Sequence, residues 1–248
     1  MNKNYKPGLM RDVDKELVSI LSDDQKISLT IDGYDKVSDD WDKTRQNFWP
    51  ELISEVTKHI KPNTKILDLG CGNGRLVPEI GKLNTENCNL NYLGIDPSKE
   101  LIKIAKNKYG ENVNLQSFDG LTLNNNINKE NINLEDESFD QIVSIAVLHH
   151  IPPAKVVIWL SEVSRVVKTG SINIFTTWNL SESNYDLNEN SDAIIGFVHH
   201  KNTRYVHYYN YSEIENIFKQ AGFKILEIKE IKRESGMSNT FILSQKLL

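Results

Sequence analysis

Residues 66–75 read ILDLGCGNGR, an apolar run that leads into three glycines at alternate positions. The apolar run predicts a buried strand, and the segment that follows, residues 75–83, has helical periodicity. Because glycine adopts a positive φ and has no Cβ, the turn between them can be tight, and a ligand can approach its backbone. The stretch therefore predicts a strand, a ligand-binding turn and a helix in direct succession.

The alternation of strand and helix continues along the chain. Five apolar runs predict buried parallel strands, and helical segments separate most of them, which is the pattern of a doubly wound α/β sheet. A further helix, residues 212–221, precedes two more strands at 223–230 and 239–246. The first five predicted strands are residues 65–69, 91–95, 113–118, 141–148 and 172–176, and the helices between them are 75–83, 98–108 and 153–167.

Residues 1–60 are predicted to form a helical extension, and residues 61–248 a single α/β domain. Helical spacing is present in residues 11–22 and again from Trp41 to Ile60, where Pro50 suits the start of the later helix.

Two stretches interrupt the alternation of strands and helices. The Asn-rich residues 122–136 are interpreted as a solvated loop. Residues 180–203 follow the fifth strand, at the edge where this architecture binds ligands, so we expect them to cover a substrate.

The composition is that of an ordinary globular protein, with 39% hydrophobic and 25% charged residues. No apolar run is typical of a signal peptide or a membrane span, and the two cysteines lack the spacing of a metal or disulfide framework. We therefore expect a reduced cytoplasmic setting, no membrane and no metal site. The net charge of −5 argues against a general nucleic-acid coat protein, although residues 200–248 carry eight Lys/Arg against five Glu.

Acidic side chains stand at the ends of the predicted strands. Asp68 precedes the first glycine by two residues, where a carboxylate suits a cationic amino group. Position 75 is Arg, whereas the dinucleotide pattern G-x-G-x-x-G requires a third glycine there, which disfavours a nicotinamide cofactor. Asp96, before Pro97, ends the second strand and can accept hydrogen bonds from both ribose hydroxyls, although an acid there also suits a helix cap.

The third strand also ends in an acid, Asp119, which is followed by Gly120 and can accept a hydrogen bond from an adenine amino group. These features resemble the class I, seven-stranded S-adenosylmethionine-dependent methyltransferases over about residues 60–248. The resemblance implies S-adenosylmethionine as cofactor and a sheet of order 3-2-1-4-5-7-6 with strand seven antiparallel. The implied cofactor-binding residues are Asp68, Gly70, Cys71, Gly72, Asn73, Asp96, Pro97, Asp119, Gly120 and Ala146.

Three further segments are similar to the tRNA wobble-uridine carboxymethyl methyltransferases, which methylate the carboxylate of 5-carboxymethyluridine. They are Thr44-Arg45 with Trp49-Pro50, residues 144–150 (SIAVLHH) and residues 204–207 (RYVH). Residues 177–180 keep the Trp but lack the acidic-glutamine continuation of that family, and residues 181–200 are acidic rather than basic.

A carboxylate acceptor is an anion at neutral pH, so the reaction needs alignment and no general base. The predicted catalytic residues are Arg45, His149, Arg204 and His207. Arg45 and Arg204 suit bidentate binding of the carboxylate, although a surface ion pair would explain either one equally well, and Arg45 is nearly as good a candidate for the methionine carboxylate. Of the paired histidines, one is expected to face the substrate and the other to pack or cap a helix.

Three hypotheses for the function stay open at this stage. The first is a tRNA wobble-uridine methyltransferase, and the second a methyltransferase acting on a small acidic or phenolic metabolite, which fits the negative net charge. The third is a catalytically silent cofactor-binding module, against which the intact glycine turn and the strand-end acids count. The candidate partners are accordingly tRNA or a small-molecule substrate, together with a small activating subunit.

Overall fold

The computed structural model describes residues 12–83, 91–110, 113–117, 134–181, 187–197, 201–233 and 238–248. Its strands are β1 (Ile66–Leu69), β2 (Tyr92–Asp96), β3 (Asn114–Ser117), β4 (Gln141–Ile145), β5 (Ile172–Asn179), β6 (Asp192–Gly196), β7 (Thr203–His207), β8 (Phe223–Lys232) and β9 (Ser238–Lys246). Its helices are α1 (Asp12–Ile20), α2 (Asp23–Thr44), α3 (Pro50–Lys58), α4 (Val77–Leu83), α5 (Lys99–Tyr109), α6 (Pro153–Val166) and α7 (Tyr211–Gln220), with a 3-10 turn at Leu148–His150.

Seven of the strands form one sheet in the order β3-β2-β1-β4-β5-β9-β8. The first five pair in parallel, and β9 runs antiparallel between β5 and β8. Since β8 and β9 are the sixth and seventh strands of this sheet, the predicted order 3-2-1-4-5-7-6 is confirmed. Every residue of β1, β2 and β4 is buried, as expected for parallel strands that are covered on both faces.

The apolar core lies in two layers on opposite faces of the sheet. Alternate residues of β1 divide between them: Leu67 and Leu69 pack with α6 and α7, and Ile66 packs with α3, α4 and α5. Burial of each such side chain stabilises the fold by about 1.5–3 kcal/mol. The carboxyl ends of the parallel strands lie at one edge of the sheet. The loops after β1, β2 and β4 therefore meet at this edge and position the site described below.

The N-terminal helices differ in length from the prediction. The helical region expected from Trp41 to Ile60 contains the end of α2, at Thr44, and the whole of α3, which begins at Pro50 as expected. The prediction also missed that α2 begins at Asp23, after a capping box in which Ser22 and Gln25 bond each other's backbone. The helix is 22 residues long and polar over most of its surface, so apolar periodicity reveals little of it.

Other element bounds also differ from the prediction. The insertion expected at residues 180–203 contains β6, which pairs as an antiparallel hairpin with β7, a strand that begins at Thr203. Strand β4 ends at Ile145 rather than at position 148, because Ala146 has a φ of 60° and donates its N–H to both oxygens of Thr176, at 3.1 and 2.8 Å. Most of the predicted Asn-rich loop lies outside the described residues, and the division of the chain at residue 60 stays a prediction.

Within the described ranges, none of the helices combines the length and apolar character that a membrane crossing requires.

Candidate functional site

The glycine turn after β1 leaves open space at the carboxyl edge of the sheet. Gly70 and Gly72 have φ values of 76° and 56°, which favour glycine. A Cβ at Gly70 would lie 2.2 Å from Cγ2 of Val147, so that position admits no side chain. A Cβ at Gly72 would come no closer to another described residue than 4.0 Å from Leu101, so a ligand can occupy the space beside it.

Asp96, at the end of β2, faces the glycine turn. Its Oδ2 accepts the N–H of Gly72 at 2.8 Å, and its Oδ1 accepts the N–H of Ser98 at 2.9 Å. Each carboxylate oxygen keeps acceptor capacity beyond these single bonds. Although both bonds stabilise the anion, burial outweighs them and raises the pKa of Asp96 to about 6. Two hydroxyl groups could donate hydrogen bonds to the remaining acceptor positions of this carboxylate, so its surroundings fit the two hydroxyls of a ribose.

The second carboxylate, Asp68, is buried in β1, where the hydroxyl of Tyr92 donates to its Oδ2 at 2.6 Å. Burial raises the pKa of Asp68 to about 7, and the charge of Asp96 adds to the effect. Arg75 lies nearby with its guanidinium 4.1 Å from the ring centre of Phe48. Burial and Arg45 lower the pKa of Arg75 to about 10, so it stays cationic at neutral pH. Paired carboxylates and arginines suit the ammonium and carboxylate of an amino acid.

Helix α2 lies across the glycine turn. Asn73 in the turn donates through Nδ2 to Oδ1 of Asp42, at 2.7 Å, and to the backbone carbonyl of Arg45, at 3.0 Å. Further along the helix, Asp35 accepts a hydrogen bond from Oγ of Ser98 at 2.6 Å. These bonds hold α2 over the site at two places, and they put Arg45 on the side of the glycine turn.

Arg204, on β7, reaches the same region from the hairpin and is only 7% exposed. Its guanidinium carbon lies 4.1 Å from the ring centre of Phe197, 5.0 Å from that of Trp178 and 5.8 Å from that of Trp41. The guanidinium carbon of Arg45 lies 4.8 Å from the ring centre of Trp41. The structure therefore brings the two predicted arginines together around one indole ring, although they are far apart in the sequence.

The two histidines after β4 have different hydrogen bonds. Nδ1 of His149 accepts the backbone N–H of Trp178 at 3.2 Å, which leaves the proton on Nε2. That Nε2 is buried and has no hydrogen-bond partner among the described residues. Nδ1 of His150 lies 2.7 Å from the carbonyl of Tyr205 and donates to it, while its Nε2 accepts from the hydroxyl of Tyr34 at 3.0 Å.

Neither histidine is protonated at neutral pH. Burial lowers the pKa of His149 well below its usual value, and His150 and Arg204 add to the effect. Burial also lowers the pKa of His150 to about 3, even though the carbonyl of Tyr205 favours its protonated form. The site therefore presents neutral imidazoles beside fixed guanidinium cations.

The remaining predicted site residues occupy varied surroundings. His207 is buried, and its Nδ1 bonds Asp192 at 2.7 Å, so its catalytic role stays a prediction. Cys71 is buried within the glycine turn, and Pro97 links Asp96 to the cap of α5. Asp119 and Gly120 lie outside the described residues.

Several side chains that line this region are not among the site residues predicted from the sequence. Arg75 had been noted only as a missing glycine, although a cation beside a glycine turn was itself a signal. Tyr34, Trp41 and Phe197 carry no motif that distinguishes them from core aromatics, whereas Trp178 matches the Trp of the resembled family.

A family model described as a methyltransferase domain matches residues 41–228. The chain belongs to this methyltransferase family. Together with the sheet order and the glycine turn, this membership makes the protein an S-adenosylmethionine-dependent methyltransferase.

Two sequence relatives of the methyltransferase differ in how much they share with it. An uncharacterized protein of Methanocaldococcus jannaschii is 28% identical over 215 residues, which cover 78% of this chain and 75% of that protein. The tRNA (carboxymethyluridine(34)-5-O)-methyltransferase of Schizosaccharomyces pombe is 30% identical over 152 residues, which cover 61% of this chain and 58% of the yeast protein. The methyltransferase thus matches just over half of the yeast enzyme.

Solved structures share the fold at lower sequence identity. The 1,6-didemethyltoxoflavin-N1-methyltransferase of Burkholderia thailandensis, solved with S-adenosylhomocysteine, has a TM-score of 0.66 at 13% identity and covers 92% of each chain. A chain of the complex between the Haloferax volcanii Trm112 methyltransferase activator and its methyltransferase has a TM-score of 0.62 at 15% identity, covering 88% of this chain and 98% of that one.

Replacing Gly72 with valine is expected to abolish cofactor binding without unfolding the methyltransferase. The side chain would fill the open space beside the turn, and a β-branched residue at φ 56° adds about 1–2 kcal/mol of strain. Gly110→Val is the matched control, since Gly110 has φ 71° with open space and caps α5. In calorimetry, S-adenosylhomocysteine should bind to Gly110→Val but not to Gly72→Val. An unfolded circular dichroism spectrum for Gly72→Val would instead assign Gly72 a packing role.

Cofactor affinity is expected to weaken as the pH falls below about 7. Asp68 and Asp96, whose pKa values in the free protein are about 7 and about 6, must ionise to bind an ammonium and ribose hydroxyls. Binding therefore releases protons on the acid side, and affinity should fall by up to about tenfold per pH unit for each protonated group. Calorimetry from pH 8 to pH 5 measures this. A constant affinity over that range would contradict the assignment of both carboxylates.

Proposed function

We propose that the methyltransferase methylates the carboxylate of 5-carboxymethyluridine at the wobble position of tRNA. The observation that carries the proposal is the chemistry beside Arg204. A buried cation and an N–H donor without a partner among the described residues, Nε2 of His149, lie within one aromatic-lined region. Such a site favours an acceptor group that is already an anion.

The hydrogen bonds of the two histidines disfavour acceptors that must lose a proton. A general base works best with a pKa near the operating pH. His149 has its only acceptor nitrogen occupied by a backbone N–H, and the acceptor nitrogen of His150 is occupied by Tyr34. A phenol acceptor would require one of these imidazoles to take up a proton, against a strongly lowered pKa. A carboxylate requires no such step.

The cofactor supplies an electrophilic methyl group when it is bound. We assign Asp96 to its ribose hydroxyls, Asp68 to its amino group, and the backbone of Gly70, Gly72 and Ala146 to the rest of its contacts. Arg45 and Arg75 are assigned to the methionine carboxylate, because Arg45 bonds the glycine turn through Asn73 and lies close enough to Arg75 to lower its pKa.

On the acceptor side, Arg204 holds the carboxylate in this proposal, and His149 donates to it through Nε2. The rings of Tyr34, Trp41, Trp178 and Phe197 exclude water from the guanidinium, which strengthens its attraction for an anion. Helix α2 covers both halves of the site, because it carries Tyr34 and Trp41 as well as Asp35 and Asp42.

The proposal includes an activating subunit and a cytoplasmic location. Support for the subunit is the fold shared with a chain of the Haloferax volcanii Trm112 complex. The cytoplasmic location rests on the small number of cysteines, since proteins of oxidising compartments are richer in disulfides.

Methyl transfer to tRNA that carries 5-carboxymethyluridine tests the proposal, with and without a Trm112-type subunit. We expect base-labile methyl ester in the nucleosides, detected by mass spectrometry, and none in tRNA that carries unmodified wobble uridine. Activity on small carboxylates but not on this tRNA would assign the protein to small acidic metabolites instead. Activity on phenols would overturn the argument from the histidines.

A further inference from the structure

A buried carboxylate that belongs to neither half of the site lies behind Arg204. Asp192, the first residue of β6, is only 5% exposed. Its Oδ1 accepts hydrogen bonds from the hydroxyl of Tyr205, at 2.5 Å, and from Nδ1 of His207, at 2.7 Å. Its Oδ2 pairs with Nζ of Lys26 on α2, at 3.1 Å. Burial opposes ionisation, but the three donors outweigh it and hold the pKa of Asp192 below its usual value.

Tyr205, which follows Arg204 in the chain, is held at all of its polar groups. Its backbone N–H donates to Oγ1 of Thr30 on α2 at 3.0 Å, and its carbonyl accepts from Nδ1 of His150 at 2.7 Å. Its hydroxyl donates to Asp192, and its side chain is fully buried. Side chains from α2, from the 3-10 turn and from β6 therefore determine where the backbone at positions 204 and 205 lies.

On β7, the residues that bond Asp192 lie on one face of the strand and Arg204 lies on the other. Successive residues of a strand point to opposite faces, so Tyr205 and His207 share one face and Arg204 projects from the other. The first face bonds Asp192, whereas the second carries the guanidinium among the aromatic rings of the site. A change at Asp192 therefore reaches Arg204 through the backbone of the hairpin, and also through Lys26 and α2, which carries Tyr34 and Trp41 beside the guanidinium.

We infer that Asp192 is a positioning residue, which through Tyr205 and His207 holds β7 where Arg204 can bind the acceptor carboxylate. The inference rests on the proposed role of Arg204 and goes beyond it, because it also assigns His207 to positioning rather than to contact with substrate. Lys26 extends the network to α2, so the hairpin and the helix that covers the cofactor are held as one unit.

Two variants of different severity test this inference. Asp192→Asn keeps the shape but removes the anion, so Lys26 loses its nearer carboxylate and keeps Asp23, at 3.8 Å. Tyr205→Phe removes only one hydroxyl. Asp32→Asn is the matched control, an exposed carboxylate of α2 outside the network. With tRNA carrying 5-carboxymethyluridine, we expect KM for the tRNA to rise about tenfold in Asp192→Asn and about threefold in Tyr205→Phe. The affinity for S-adenosylhomocysteine should change less than twofold in both.

A double-mutant cycle with Arg204→Lys separates positioning from simple stability. If Asp192 acts through Arg204, its substitution should cost little further activity once Arg204 is lysine, so the two effects are not additive. Additive losses, or equal losses of cofactor and tRNA affinity, would mean that Asp192 only stabilises the fold and would overturn the inference.

A readout that needs no acceptor keeps this test independent of the proposed function. The Nε–H resonance of Arg204, identified by its loss in Arg204→Lys, should shift in Asp192→Asn and Tyr205→Phe but stay in place in Asp32→Asn. An unchanged resonance in both network variants overturns the inference, whichever acceptor the enzyme uses. Should Arg204→Lys leave acceptor KM unaffected while this resonance shifts as expected, the proposed role of Arg204 fails and the positioning effect stands.

Discussion

Replacing Arg204 with alanine is expected to lower methyl transfer to tRNA about a hundredfold while S-adenosylhomocysteine binding stays within about twofold. A buried charge-assisted interaction contributes about 3 kcal/mol, and each 1.4 kcal/mol corresponds to a factor of ten. The guanidinium lies among aromatic rings on the hairpin side of the site, 4.1 Å from the ring centre of Phe197 and 5.0 Å from that of Trp178, and is not among the groups assigned to the cofactor. The measurement is initial rate against tRNA concentration, with calorimetry of the cofactor in parallel.

Two further variants at this position distinguish charge from volume. Arg204→Met keeps much of the buried volume without the charge and should be as inactive as alanine. Arg204→Lys should recover only part of the activity, because an ammonium lacks the planar fork that binds a carboxylate through two hydrogen bonds. Full activity in Arg204→Met would remove Arg204 from acceptor binding.

Arg45→Ala should change cofactor binding, which Arg204→Ala is expected to leave nearly unchanged. Because Arg45 lies beside the glycine turn, its loss should weaken cofactor binding as well as turnover. Unchanged cofactor affinity together with lost turnover would return Arg45 to the acceptor carboxylate, where the family resemblance first suggested it.

Replacing Asp96 with alanine is the second large effect that we expect, a loss of about ten- to a hundredfold in cofactor affinity. Two charge-assisted hydrogen bonds to ribose hydroxyls would disappear, at a cost of about 1.5–3 kcal/mol in total. The substitution also removes the acceptor for the N–H groups of Gly72 and Ser98, so the glycine turn itself should loosen.

The control for that effect is Asp96→Asn, which keeps one acceptor oxygen for the turn and should bind the cofactor with intermediate affinity. Asp32→Asn should leave binding unchanged. A wild-type protein that binds a nicotinamide dinucleotide more tightly than S-adenosylhomocysteine would contradict the assignment of the cofactor.

The sequence by itself determined the sheet and the glycine turn. Buried parallel strands appear as contiguous apolar runs, and alternating helices force the parallel connection, so both signals are local. The turn is equally local, because Gly70 and Gly72 need positive φ values that neighbouring residues do not share. The position of Asp68 and Asp96 near the carboxyl ends of β1 and β2 could be predicted for the same reason, because the parallel strands end at one edge of the sheet. Their role as cofactor ligands stays a prediction.

Only the tertiary structure decided which side chains meet around Arg204, in the proposed acceptor half of the site. Tyr34, Trp41, Arg204 and His150 come from α2, β7 and the turn after β4, and no spacing in the chain relates them. The tautomers of the two histidines depend on Trp178, Tyr205 and Tyr34, which are distant in sequence. A hydrogen bond or a desolvated charge depends on the atoms within a few ångströms, and folding brings most of those atoms from elsewhere in the chain.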